Sequence, residues 1–171
     1  LVSVKDVSAQ SLIKEIANDL KVNKKVISPE FAAYVKTGCH RENAPDDPDW
    51  WYIRMASVFR RVYISGNVTV TKLRSYYGGK KRRGTRPPKF KRAGGKVIRV
   101  CLQELEKLGF VKIIEKKGRA ITSEGQKYLD KMATEVSKVV AQETKKSAVK
   151  EEKPKVAEVK PAKAEATQEK Q

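Results

Sequence analysis

Between Trp50 and Gln103 the chain contains no Asp or Glu, although the same 54 residues hold fifteen Lys or Arg. The formal net charge is +18, and outside this stretch 23 basic residues face 20 acidic ones, so most of the excess sits in a third of the length. A one-sided field does nothing for folding, because like charges repel in the compact state; it suits a polyanionic partner, of which nucleic acid is the first candidate. Histidine is nearly absent, His40 being the single one, and there are two cysteines, Cys39 and Cys101. No His/Cys group has metal-ligand spacing and no Gly-rich loop follows a strand, so neither a metal, a cofactor nor a small-molecule substrate is expected, and an enzyme is disfavoured. Two cysteines are too few for a disulfide framework, which points to a reducing compartment. No run approaches the roughly 18 apolar residues of a membrane span, and the first twenty residues lack the apolar core of a cleavable signal. A soluble, intracellular protein is expected, without a membrane partner.

The 171 residues, 39% hydrophobic and 34% charged, suit one modest domain with extensions. Ser8 is placed to cap a helix whose Leu12, Ile13, Ile16, Ala17 and Leu20 share a face. A short helix is expected in the segment from Ile27 to Val35, with Pro29 in its first turn, followed by a polar loop to Pro45. Asp47-Pro48-Asp49 reads as a helix start with Pro at the first helical position; this also explains the acids of Asp46 to Asp49 as capping groups rather than a catalytic cluster. The helix that follows runs to about Ile64. Its wide apolar arc, Trp51, Tyr52, Met55, Ala56, Val58, Phe59, Val62 and Tyr63, predicts the central buried helix, with Arg54, Ser57 and Arg61 together on the other face and Arg60 alongside.

A helix from Val70 to Tyr77 comes next, then the segment 78–93, which includes Lys80, Lys81, Arg82, Arg83, Arg86, Lys89, Lys91 and Arg92. Its Gly, Pro and charge content predicts a long basic loop suited to lie along phosphates. Tyr76, Tyr77 and Phe90 bracket the charges, and aromatic rings beside cations suit stacked, unpaired bases; a short helix ending in two tyrosines equally fits one that buries them. Gly94-Gly95 opens a helix with Val97, Ile98, Cys101, Leu102, Leu105 and Leu108 inside and Lys96 and Arg99 outside, stopped by Gly109. The segments 110–114 and 120–121 flank a turn and read as a β-hairpin. Ser123 with Gln126 reads as a capping box for a last helix bearing Tyr128, Leu129, Met132, Ala133, Val136 and Val140. From about residue 141 the chain is Lys-, Ala- and Glu-rich without large apolar residues, and a disordered tail over 141–171 is expected. Cys39-His40 carries little as a nucleophile and base, since adjacent side chains rarely point the right way, and Cys101 falls on an apolar arc as core.

Helix, short helix, helix, hairpin and helix is the order of a winged helix. The expected fold is therefore mainly α: a winged-helix-like helical domain over 1–140 with a small β-hairpin wing, a long basic loop at 78–93 and the tail. One reading of this topology is a DNA-binding transcription regulator. Against it, the turn before the recognition helix is normally about 3–4 residues, and here the whole basic loop occupies that place. No amphipathic seam after Val140 offers a dimer interface either.

Val4-Lys5-Asp6-Val7, the run Asp49-Trp50-Trp51-Tyr52-Ile53-Arg54-Met55-Ala56-Ser57, Tyr76-Tyr77-Gly78-Gly79 and the stretch from Gly94 to Gly125 together resemble the archaeal and eukaryotic family of small-subunit ribosomal protein nineteen. The resemblance covers roughly Val2 to Val140; the tail is longer than the family's. It implies a structural protein of the small-subunit head that binds small-subunit rRNA and is needed for pre-rRNA maturation and subunit assembly. Implied partners are rRNA, neighbouring head proteins and assembly factors, in the cytoplasm with nucleolar passage during assembly. Arg54 and Arg60 match family arginines on the central helix and Arg99 one on the helix after the loop, on a basic surface that faces rRNA. A solvated face or an intramolecular salt bridge is the alternative for the arginines of the central helix, Arg54 and Arg60. The expected RNA-binding set is these three with Arg61, Tyr77, Lys96 and the loop cations Lys80, Lys81, Arg82, Arg83, Arg86, Lys89, Lys91 and Arg92.

Overall fold

A computed structural model describes residues 2–23, 26–115 and 117–151. Its elements run α1 (Ala9–Val22), a 3-10 turn (Glu30–Ala33), α2 (Trp50–Ser65), β1 (Asn67–Val68), α3 (Val70–Tyr76), β2 (Gly79–Arg83), β3 (Arg86–Lys91), α4 (Gly95–Lys107), β4 (Val111–Ile114), β5 (Gly118–Ile121) and α5 (Ser123–Glu151). Two compact units are distinguished, Leu1–Ser137, which carries the whole core, and Lys138–Gln171, whose described part is the end of α5. Residues 141–151 continue that helix where composition pointed to disorder. Extending a formed helix needs no new nucleus, and Ala, Lys and Glu are good helix formers. The rest of the expected tail, 152–171, lies outside the described residues.

The apolar arcs meet as their periodicity requires. Trp51, Met55, Ala56, Val58, Phe59 and Val62 of α2 are buried with Leu12, Ile16, Ala17 and Leu20 of α1 and with Val97, Ile98, Cys101, Leu102 and Leu105 of α4. Tyr52 and Tyr63, at the edge of the arc, are half-buried and send their hydroxyls outward, Tyr52 donating to the Val26 carbonyl at 3.1 Å and Tyr63 to Asp130 at 2.9 Å. α5 closes the core with Leu129, Met132, Ala133 and Val136, while Val140 lies outside it, 39% exposed. Phe59, Phe110 and Tyr128 stack, and the Tyr128 hydroxyl donates to Asp19 of α1. Cys101 is core as expected, and burial pushes its thiol up to about 12.

Four helix starts differ in detail from the sequence reading. Ser8 stands at the N-cap of α1 but its side chain makes no cap bond. Asp49, not Asp47, is the N-cap residue of α2, so Pro48 precedes the helix; the Asp49 carboxylate pairs with Lys21 at 2.8 Å instead of capping. α5 is capped by Thr122, whose Oγ1 accepts from the Gly125 N–H at 3.1 Å, one residue before the expected Ser123. Between Ile27 and Val35 the helix is a single 3-10 turn, with Pro29 as its N-cap.

The wing is larger than a hairpin. β4 and β5 pair antiparallel, and β1, which no local signal marks, adds to β5 through Asn67 opposite Ala120 and Val68 opposite Arg119, giving the order β1-β5-β4. Gly118 opens β5 with φ +98, and a Cβ there would stand 2.6 Å from the Val68 carbonyl oxygen. Gly118→Ala therefore combines left-handed strain with a push against β1, and a loss of roughly 2–3 kcal/mol is expected. Thermal denaturation checks it, and an unchanged melting temperature would mean that β1 does not hold this approach.

The basic loop is ordered as a second, two-stranded antiparallel sheet, β2 with β3. Gly84, at φ +67, and Thr85 make the two-residue turn, with Gly at the position where a hairpin turn favours it. The register passes from Lys81 opposite Lys89 to Arg83 opposite Arg86, so Pro87 and Pro88 together oppose Arg82 in a bulge. Prolines lack the N–H a ladder needs and are tolerated at bulges of edge strands. That is why a segment rich in Gly and Pro is a ribbon rather than an irregular loop.

Candidate nucleic-acid interface

The ribbon stands between α3 and α4, and its base is clamped on two sides. Arg74 of α3 is bonded twice to Ala93, whose N–H donates to the Arg74 carbonyl at 2.9 Å and whose carbonyl accepts from the Arg74 Nε at 3.1 Å. On the other side Gly38 bridges to Ala93, and the Gly94 N–H donates to the Thr37 carbonyl at 3.2 Å. The Phe90 ring, half exposed, packs over Gly78. A ribbon without a core of its own is marginal in water, and these bonds fix where it leaves the domain.

Past the base every β3 residue is exposed, as are Lys80, Arg82 and Arg83; Lys81 is half-buried and Arg92, after β3, is exposed. Lys81 directly faces Lys89 and Arg83 faces Arg86. Like charges so placed destabilise a strand pair, and no acid relieves them: the four ion pairs among the described residues join Lys21, Lys107, Arg119 and Lys131 to acids, and none takes a cation from 50–103. One of the ribbon's cations is partly engaged by its own backbone, since Arg83 donates from Nε and Nη2 to the Pro87 carbonyl at 2.9 and 2.7 Å.

Arg54, Ser57 and Arg61 do share a face of α2, as their spacing predicts, but that face is partly covered, all three being half-buried. The tyrosines that end α3 lie on it: Arg54 stacks over the Tyr77 ring at 4.5 Å, Arg61 over the Tyr76 ring at 4.1 Å, and the Ser57 and Tyr77 hydroxyls are 2.8 Å apart. The two tyrosine rings meet edge to face. Each cation–π contact contributes about 0.5–2 kcal/mol, more as it loses water. Tyr77 thus serves as packing for Arg54 more than as an open stacking platform, while Tyr76 remains 54% exposed. Burial lowers the pKa of Arg54, although an arginine stays charged at any ordinary pH. Its guanidinium makes no ion pair with an acid among the described residues, so the intramolecular pairing considered for it is not found there. Arg60 is half-buried, its Nε–H enclosed without a hydrogen-bond partner among the described residues, and it too lacks an acid.

On α4, Lys96 and Arg99 lie one turn apart and exposed, Lys96 with its ammonium 4.4 Å from the Phe31 ring centroid and Arg99 with no side-chain hydrogen bond, ion pair or ring contact among the described residues. Sequence reasoning missed Arg74, whose role is visible only in the bonds it makes across the ribbon base. It also missed the loop from Thr37 to Asp47. There His40 lies against the backbones of Gly38 and Gly79, where a Cβ on either would come within 2.8 Å of the ring. Burial lowers the His40 pKa, with Arg41 and Arg54 adding to the effect, so the imidazole is neutral near pH 7. Cys39 is exposed, its Sγ 3.8 Å from the Arg92 carbonyl it donates to, and it makes no hydrogen bond to His40.

Comparison with known proteins places the same span in one family. The model of the family described as ribosomal protein S19e matches residues 3–139. A protein of Oryza sativa subsp. japonica, small ribosomal subunit protein eS19, is 39% identical over 139 residues, 81% of this chain and 95% of its own. Two of Schizosaccharomyces pombe, small ribosomal subunit proteins eS19B and eS19A, are each 43% identical over 132 residues, 77% of this chain and 92% of theirs.

Proposed function

The chain belongs to the S19e family of ribosomal proteins, which is structural and not enzymatic, and on that premise we propose that it is a constituent of the small ribosomal subunit head that binds small-subunit rRNA. The ribbon contacts phosphates through Lys80, Lys81, Arg82, Arg86, Lys89, Lys91 and Arg92, with Arg83 partly committed to its own turn. Lys96 and Arg99 extend this surface along α4. Arg54, Arg60, Arg61 and Tyr77 form its packed base, presenting charge that no acid of the described chain neutralises. The protein is needed for pre-rRNA maturation and subunit assembly, works in cytoplasmic ribosomes after nucleolar passage, and meets neighbouring head proteins and assembly factors there.

The observation that supports this reading best is that none of the fifteen cations of 50–103 forms an ion pair with an acid among the described residues, while two pairs of them face each other across the ribbon. Phosphates would relieve that repulsion, and releasing their counterions would drive binding. The DNA-regulator reading gains nothing from the structure, because the ribbon occupies the place of the short turn before α4.

Arg99→Ala tests it. Arg99 is exposed and fills no part of the core, so the melting temperature should stay that of the wild type. Removing one charge-assisted hydrogen bond to phosphate, roughly 1.5–3 kcal/mol, should weaken binding about 10–100-fold. With the variant as the only copy, its share in small subunits on a gradient after a high-salt wash should fall, and unprocessed pre-rRNA should rise. Normal incorporation would remove Arg99 from the site, and early melting would make it structural.

A further inference from the structure

Beside the ribbon, an open cleft of about 800 Å³ lies between α2 and the loop that precedes it. Its floor is one stripe of α2, Trp50, Ile53, Arg54 and Ser57, spaced i, i+3, i+4, i+7 and so about 10 Å long. The stripe changes character along its length. One end is apolar and aromatic, Trp50 and Ile53 with Ile13 of α1; the other is basic, Arg54 with Tyr77 above it and Lys80 and Arg82 of the ribbon at the rim. The loop side is mostly polar: Thr37, His40, Arg41, Glu42, Asn43, Asp46 and Asp47 line it together with Ala44 and Pro45. These loop side chains make no ion pair or side-chain hydrogen bond among the described residues, even though acids and cations sit side by side. The His40 Nδ1 is buried without a hydrogen-bond partner among the described residues.

We propose that this cleft receives one unpaired RNA nucleotide, its base toward Trp50 and its phosphate toward Lys80 and Arg82. The proposal rests on the rRNA-binding reading and deepens it by naming what a second part of the surface takes. An unpaired base offers a flat apolar face and an edge of donors and acceptors, and single-stranded bases are read by aromatic stacking together with hydrogen bonds to that edge. The carboxylates and the Asn43 amide supply acceptors, so a base carrying an exocyclic amino group, which guanine, adenine and cytosine have and uracil lacks, is favoured. With its Nδ1 enclosed, the neutral imidazole of His40 has at most Nε2 to offer, suited to a sugar hydroxyl or base edge rather than to a phosphate. A volume within the range of small-molecule sites accommodates one nucleotide and not a duplex.

The experiment uses the full chain and three RNA hairpins: one fully paired, one with a single unpaired guanosine, one with an unpaired uridine. Wild type should bind the guanosine bulge at least tenfold more tightly than the paired hairpin, with the uridine bulge between. Ala44→Trp places a large ring in the cleft from an exposed loop position, away from the core and the ribbon. It should erase the preference while leaving affinity for the paired hairpin and the melting temperature unchanged. Asp46→Ala, should Ala44→Trp fail to fold, should narrow the difference between guanosine and uridine. 2-Aminopurine at the unpaired position should be quenched on binding wild type and not on binding Ala44→Trp. Equal affinity of wild type for all three hairpins, or a preference that survives Ala44→Trp, overturns the cleft assignment and leaves the ribbon reading standing; unquenched 2-aminopurine also overturns it and points to a protein side chain as the occupant. No binding to any hairpin overturns the rRNA-binding reading and this one with it.

Discussion

Trp51→Ala is expected to destabilise the domain by about 3–5 kcal/mol, the usual cost of truncating a large buried aromatic to Ala. Trp51 is 1% exposed in the middle of the α2 arc, with its ring edge to face against Phe31 and Trp50, each at 5.7 Å between centroids. Small domains have only about 5–15 kcal/mol in total, so the melting temperature should fall by roughly 10 °C or more, and in cells the variant should be depleted before it reaches ribosomes. Leu105→Ala, fully buried on α4, should act in the same direction by about 2–5 kcal/mol. A finer contrast comes from the indole itself, whose Nε1–H is buried without a hydrogen-bond partner among the described residues. Trp51→Phe removes that unsatisfied donor along with some volume, and should cost far less than Trp51→Ala. Equal losses for Phe and Ala would mean that the N–H finds a partner, and an unaltered melting temperature for Ala would mean that the α2 arc is not the core.

What could be read from the chain and what could not separate along the range of the interactions involved. The arcs of α1, α2, α4 and α5 follow from 3.6-residue periodicity, which lies within each helix, and the buried residues are nearly those the pattern selects. β1 could not be read, because two residues carry no period and become a strand only against Gly118 to Ala120, some fifty positions away. The ribbon was hidden by its composition: Pro87-Pro88 argues against a strand until the bulge opposite Arg82 places both prolines where no ladder N–H is required. Capping was legible to within one residue at α5 and misplaced at α2, where Lys21 draws the Asp49 carboxylate away from the helix end. For the candidate site, the sign and location of charge were visible in the absence of acids over 50–103. Which cations are open and which are packed was not, since Arg54 on Tyr77, Arg61 on Tyr76 and Arg83 on Pro87 are settled by tertiary contacts or by turn geometry.

The quadruple variant Arg82→Ala, Arg83→Ala, Arg86→Ala and Lys89→Ala should bind RNA roughly a hundredfold or more weakly at about 0.1 M salt, and its salt dependence should flatten by up to about 3.5 in the log–log slope, at about 0.7–0.9 for each phosphate no longer neutralised. All four side chains are exposed and none belongs to the core, so the fold should survive. The direction of the stability change sharpens the prediction. Each substitution removes one member of a facing like-charge pair, Lys81 with Lys89 or Arg83 with Arg86, or thins the field around them. Relieved repulsion should leave the melting temperature level or slightly higher at low salt, with the difference vanishing as salt screens the charges. The four are not equal: Arg83 is tied to the Pro87 carbonyl by two bonds, so Arg83→Ala alone should flatten the slope least and cost the turn most. Titration of a small-subunit rRNA fragment over a series of salt concentrations, beside thermal melts of the same samples, reads both quantities. A steep slope retained in the quadruple variant would move the phosphate contacts onto Lys96, Arg99 and the α2 arginines; a fall in melting temperature beyond that of Arg83→Ala alone would make the ribbon a structural support for α4, with its charge serving packing rather than RNA.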